Sequence, residues 1–125
     1  MGDILESASA FLADQRRKHL SRTVTYCRGA NRVDVAATIG RTVFTIDTET
    51  AVQAEFESRD FLILAADLVL GGAATLPQEG DQIREPSGGK VFVYAVLAPG
   101  DAPAWRYSDP YRKALRIHTK QVAEE

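Results

Sequence analysis

The stretch 86–99, PSGGKVFVYAVLAP, decides the fold. Ser87, Gly88 and Gly89 supply a tight turn, because consecutive glycines take up the positive φ that a short hairpin needs. Beyond the turn Val91, Val93, Ala95 and Leu97 alternate with Phe92, Tyr94 and Val96, the period of two that sends neighbouring side chains to opposite faces of a strand. Both sets are apolar, so the strand is expected in the middle of a sheet, covered on each side.

The same period runs outward from it in both directions. Upstream, RTVTYCR alternates through Val24 and Tyr26, RGANRV turns around Gly29 and Asn31, and RVDVAATIG resumes through Val33 and Val35 before RTVFTI. DTETAVQAEFESRDFLI contains an acidic loop and then a long strand with Val52, Ala54 and Phe56 on one face. LAADLVLGGAATLPQEGDQIRE reads as loop around Gly71 and Gly72, and its PQEG places Pro and Gly as in a reverse turn feeding a strand at Gln82. Downstream, GDAPAWRYSDPY is a proline-containing connection. ALRIHTKQV closes the chain, with Leu115, Ile117, Thr119 and Gln121 opposed to Arg116, His118 and Lys120.

Only the beginning has a different period. In GDILESASAFLADQRRKHL the residues Ile4, Leu5, Ala8, Phe11, Leu12 and His19/Leu20 fall on one stripe at 3.6 residues per turn. Asp3 and Glu6 resemble a capping box, and Arg16, Arg17 and Lys18 suit a helix C-terminus. The expectation is a single domain, 1–125, with an amphipathic α-helix over 3–20 and a mainly β remainder over 22–122, six or seven short strands forming a small antiparallel β-barrel or sandwich.

Composition narrows the function. The chain is 45% hydrophobic and 26% charged with a net charge of −2, which argues against a dedicated DNA-coating protein. No apolar run approaches the roughly 18 residues of a membrane span. One cysteine, Cys27, rules out an internal disulfide, and the N-terminus lacks the basic start and apolar run of a secretory signal, so synthesis in a reducing, intracellular setting is expected. Charge is segregated along the chain: residues 16–41 carry seven basic residues and Asp34, residues 45–81 eight acidic residues and Arg59, and residues 106–120 five basic residues and Asp109. Such blocks either neutralise one another within the fold or meet across an interface between copies.

Chemistry is mostly missing. Of the two histidines, His19 and His118, neither has a neighbour at metal-ligand spacing, so no metal is expected. Cys27 sits mid-strand, where a lone cysteine behaves as a small buried hydrophobe. The glycine pairs 71–72 and 88–89 lack the following helix of a phosphate-binding loop. Glu55 and Glu57 share a strand face and read as an acidic outer surface. No catalytic residue and no cofactor is expected, and the chain does not read as an enzyme.

Two segments remain. Arg59 and Asp60 are adjacent in a strand, so they point to opposite faces and each needs its own partner, either as ordinary surface charges or as a charged corner facing another subunit. WRYSDPYRKALRIHTK, 105–120, concentrates the only tryptophan, two tyrosines and five basic residues. Trp105 and Tyr107 share a face with Arg106 opposed. With Arg112, Lys113, Arg116 and Lys120 they suit base stacking and phosphate contact, or equally a protein hot spot, while Trp105 itself suits packing under the closing strand.

The succession SRDFLILAADLVL, LPQEGDQIRE, GGKVFVYAVLAP and AWRYSDPYRKALRIHTKQV, about residues 57–122, resembles the small head-tail joining proteins of tailed bacteriophages and prophages, the class of head-closure or stopper proteins. The resemblance implies a structural subunit that assembles as a ring of six or twelve copies in the virion neck, after assembly in the host cytoplasm. A portal or adaptor protein would be its partner on the head side and a tail terminator or tail tube on the tail side. DNA would pass through the lumen without specific binding, helped by an acidic wall from residues 45–81. It further implies that Pro77, Gly80 and Asp81 are fold-defining turn residues and that Trp105, Arg106, Tyr107, Asp109 and Arg116 lie near subunit or tail contacts, with Arg59, Asp60 and Lys120 as further candidates. The alternatives are another neck or tail component, such as an adaptor or tail terminator, and a single-stranded nucleic-acid-binding barrel. An adaptor is usually rich in helix, which this chain is not expected to be.

Overall fold

A computed structural model of the chain describes residues 21–47, 53–100 and 102–125. The helix expected over 3–20 lies outside the described residues. Within them the alternating segments form nine strands: β1 Arg22–Arg28, β2 Asn31–Asp47, β3 Gln53–Leu64, β4 Val69–Leu70, β5 Ala73–Ala74, β6 Gln82–Ser87, β7 Lys90–Val96, β8 Trp105–Tyr107 and β9 Ala114–Glu124. A 3₁₀ turn, Ala65–Asp67, follows β3. The protein is mainly β, as its periodicity predicts.

Local chemistry sets the turns. Gly88 and Gly89, at φ +59° and +81°, link β6 to β7 with Ser87 opposite Lys90, a two-residue hairpin that β-carbons would strain. Gly29, at φ +59°, does the same between β1 and β2. The loop around Gly71 and Gly72 is itself a small hairpin, β4 against β5.

Seven strands share one antiparallel sheet in the order β3-β2-β1-β6-β7-β9-β8, and β3 also pairs with β9. The hydrogen-bonded path β1–β2–β3–β9–β7–β6 therefore returns to β1. β9 makes this possible because it is long: Ala114–Thr119 pairs with β3, while its other edge takes β8 at Leu115–Ile117 and β7 from Thr119 onward. As expected, β7 is flanked on both sides, by β6 and β9.

RVDVAATIG and RTVFTI are one strand, the 17-residue β2. Gly40 lets it run on: a β-carbon there would sit 3.2 Å from Arg116 Nη1 and 3.3 Å from Leu62 Cδ1, so its absence leaves the space through which the Arg116 side chain passes. β2 pairs with β1 up to Ala37 and with β3 from Ala37 onward. β3 in turn reaches β9 only from Arg59 onward.

One face of the sheet makes the core. Val24 and Tyr26, Val35 and Ala37, Phe61 and Ile63, Ile83, Tyr94 and Val96, and Leu115 and Ile117 are buried together, joined by Leu68 and Leu70. Each strand contributes at the period of two, and each fully buried large side chain contributes about 1.5–3 kcal/mol of transfer free energy. Cys27 is buried as expected, and Trp105 and Tyr107 pack partly buried against this core.

Candidate functional site

β3 is buried on both faces, because Ser58 and Asp60 on its second face are as inaccessible as Phe61 and Ile63 on the first. Cross-strand register lines up Gly40, Asp60 and His118 across β2, β3 and β9. Asp60, with no solvent exposure, accepts from Arg116 Nη1 at 2.6 Å and Ser58 Oγ at 2.5 Å, from the Thr42 hydroxyl, and meets His118 Nδ1 at 2.9 Å. Burial by itself would raise its pKa. The donors His118, Ser58, Thr42 and Arg116 outweigh that and hold the carboxyl well below the ordinary carboxylate range. Phe44 lies edge-on to His118, ring centres 5.0 Å apart.

Serine, histidine and aspartate in contact raise the question of a catalytic triad. Here both Ser58 Oγ, at 3.4 Å, and Asp60 approach the same ring nitrogen, Nδ1. A triad needs the nucleophile on one nitrogen and the carboxylate on the other, so that the ring relays a proton between them. Ser58 Oγ, moreover, donates to Asp60. This geometry pairs a buried charge and does not activate a hydroxyl.

Arg59 faces the other way, as adjacency to Asp60 requires, and holds both oxygens of Glu85 at 2.8 and 2.9 Å through Nη2. Arg59 Nε also reaches Glu85 at 3.1 Å, and Arg22 Nη1 adds a fourth contact at 2.6 Å. Glu85 is 1% exposed, on the same strand face as Ile83, so the two guanidinium groups compensate a carboxylate at the edge of the core. The Arg59 guanidinium also lies over Tyr94 at 5.2 Å and Phe61 at 5.8 Å.

The PQEGD segment carries the third pairing. Asp81 receives Arg28 Nε at 2.9 Å and Nη2 at 2.8 Å, the Tyr26 hydroxyl, and the Gln78 amide at 2.9 Å. Gly80, at φ +95°, donates its amide to Val96 O, and Asp81 O accepts from Val96 N, which ties the turn to β7. Pro77 is buried beside it. Burial, then the hydrogen bond to Asp81, push the Tyr26 phenol far above its ordinary value. Burial opposes ionisation of Asp81 too, yet Arg28, Tyr26 and the Gln78 amide lower its pKa.

The aromatic and basic segment is arranged around β8. Trp105 and Tyr107 share a face and meet edge to face at 5.1 Å, while Arg106 is exposed on the opposite side, directly across from Arg116. Asp109 organises the following loop by accepting from the amides of Lys113 at 2.9 Å and Ala114 at 2.8 Å. That loop places Arg112, at φ +58°, over the Tyr107 ring. Lys120 is exposed on β9.

The candidate residues thus separate into distinct places. Asp60 and Arg116 come together, Trp105 and Tyr107 come together, Arg59 is engaged with Glu85, and Asp109 shapes a loop. Their main partners, Ser58, Thr42, His118, Glu85, Arg22, Arg28 and Tyr26, were not singled out as site residues by the sequence. Glu85 alone left a signal, a charge sharing the face of Ile83. Among the described residues the charge blocks meet inside the fold at Arg28–Asp81 and Arg116–Asp60 and, on the surface, at Arg41–Glu57 at 3.6 Å.

Among the described residues no buried side-chain nitrogen or oxygen lacks a hydrogen-bond partner, and no three His, Cys, Asp or Glu side chains are grouped to hold a metal. No helix among them is long and apolar enough to cross a membrane. A comparison with curated proteins gives no match. A family model described as "Phage head-tail joining protein" matches residues 2–125, which include every strand of the sheet. Buried charges spent on holding strands together suit the structural character of that family, and with the match running through the whole fold, the chain belongs to the phage head-tail joining proteins.

Proposed function

We propose that the protein assembles as a ring in the neck of a tailed phage or prophage, between the portal or adaptor and the tail, where it joins head to tail and helps retain packaged DNA. The observation that carries this reading is the family match over residues 2–125. Such a family is structural, and its members meet other head and tail proteins of the phage. The closed pairing path from β1 back to β1 supports reading residues 22–122 as a small β-barrel within a single domain. A described region built from strands and one 3₁₀ turn favours a stopper over a helix-rich adaptor.

The exposed side of β8 and β9, with Arg106 and Lys120, and the loop shaped by Asp109 supply the docking surface. Trp105 and Tyr107 support it from below: their rings pack edge to face on each other and against the core, which suits a rigid platform for protein contact better than open stacking of bases. Among the described residues of 45–81, Glu55, Glu57 and Glu79 are exposed acids available to face DNA or a neighbour.

Electron microscopy of lysates from the parent phage lacking this gene, with and without purified protein added back, tests the reading. Filled or leaking heads beside separate finished tails, joined on addition, are expected. Normal virions without the gene would refute a joining role.

A further inference from the structure

Past Ala37 β2 pairs only with β3, and before Arg59 β3 pairs only with β2, among the described residues. Residues 42–47 and 53–58 form a two-stranded arm, and the outer edges at 38–47 and 53–58 carry no further strand among the described residues. Folded proteins usually blunt such edges with lysine, proline or a bulge, since open backbone donors and acceptors invite another strand. Neither lysine nor proline occurs in 38–47 or 53–58, and the ladder there is continuous. Val43 is 54% exposed on one face of the arm, beside Glu55 and Glu57.

A second open edge lies at the other end of the sheet. β8 pairs with β9 alone, and its exposed Arg106, directly across from Arg116, shares a face with the exposed Lys120, where neither makes an ion pair among the described residues. Once Asp60, Asp81 and Glu85 are matched to Arg116, Arg28, Arg22 and Arg59 within the fold, the arm keeps exposed Glu55 and Glu57, the latter 3.6 Å from the exposed Arg41, and the β8–β9 face keeps exposed Arg106 and Lys120, of opposite sign.

We propose that the β2–β3 arm of one copy seats on the β8–β9 face of a second copy, Glu55 and Glu57 against Arg106 and Lys120. The inference rests on the ring reading above and names the contact that builds the ring. The two surfaces differ, so the contact is heterologous: every copy offers an arm and receives one, and the series closes when the rotation per copy divides a full turn. Opposite charge sets the register of the approach, and the open edges supply the backbone pairing.

The test uses the full chain carrying Cys27→Ala with Glu57→Cys and Arg106→Cys together, treated with a short bis-maleimide, both as purified protein and in joined particles. A ladder of covalent oligomers beyond the dimer is expected, with each single cysteine variant stopping at the dimer. In add-back assays E55K/E57K and R106E/K120E should each lower joining by roughly ten-fold or more, the scale of losing close interfacial charge pairs. The four substitutions combined should restore it. Particles joined by wild-type protein but giving no ladder, or cross-links to a different phage protein instead, would overturn the arm contact and leave the joining role standing. Failure of the wild-type protein to join heads to tails would sink the joining role itself, and the purified-protein ladder would still report on the arm.

Discussion

Replacing Asp60 by asparagine removes one charge from the centre of β3 while keeping the size of the side chain. In the wild type the carboxylate is fully buried and accepts from Arg116, Ser58 and Thr42 besides meeting His118. An amide accepts through one oxygen only and turns an NH₂ toward groups that themselves donate. Removing one partner of a buried ion pair costs about 3–5 kcal/mol, and Arg116, 22% exposed, has a route to water, which places the loss near the lower end, about 3 kcal/mol. Against a typical stability of roughly 5–15 kcal/mol this is a large fraction, and for a domain of this size it corresponds to a fall in Tm of about 10 °C.

The same substitution has a pH signature. Asp60 has a folded pKa below its ordinary 3.8, so in the window beneath that value the unfolded chain takes up the proton first. The stabilisation is therefore complete above about pH 5 and fades as pH falls toward the folded value. Urea unfolding followed by Trp105 fluorescence, for wild type and D60N from pH 7 to pH 2.5, should show a gap that narrows on acidification. A gap below about 0.5 kcal/mol at pH 7, the usual range for a surface change, would refute the paired-charge account. So would a gap that stays constant down to pH 2.5.

Three other outcomes are expected. Tyr26→Phe removes a buried donor to Asp81 and should cost about 1–2 kcal/mol in urea titration, whereas Asp81→Ala, which leaves Arg28 and the Tyr26 hydroxyl unmatched, should cost clearly more. In alkaline absorbance titration the Tyr26 and Tyr94 phenols, both raised first of all by burial, should stay protonated past pH 10, and stability should fall as pH rises through that value because only the unfolded chain ionises there. Gly89→Ala forces a β-carbon into φ +81° and should lower stability by roughly 1–2 kcal/mol, read as a shift in Tm, while Gly29→Ala at φ +59° should act in the same direction.

The strands were legible because the signal is local. Val24 and Tyr26, Val33 and Val35, and the run Val91–Leu97 alternate within a few residues, and the Gly88–Gly89 turn declares its own backbone geometry. Burial of Cys27, opposite directions for Arg59 and Asp60, and a common face for Trp105 and Tyr107 all follow from the period of two. β2 was harder to delimit, since a glycine in mid-strand resembles an interruption until the arginine that occupies its missing β-carbon is known. The 105–107 segment looked like connection because three residues are too few to show a period.

Sequence alone determined the class of the fold, the turn residues and the resemblance to head-tail joining proteins. It did not determine partners. Asp60 meets His118 across 58 residues of chain, Tyr26 meets Asp81 across 55, and Arg59 meets Glu85 across 26. Each of those pairs depends on which strands lie side by side, and that choice is made by the free energy of the whole sheet, through burial and register summed over every strand. Periodicity says which way a side chain points, and only the closed pairing of β3 with β9 and of β6 with β1 says what it points at.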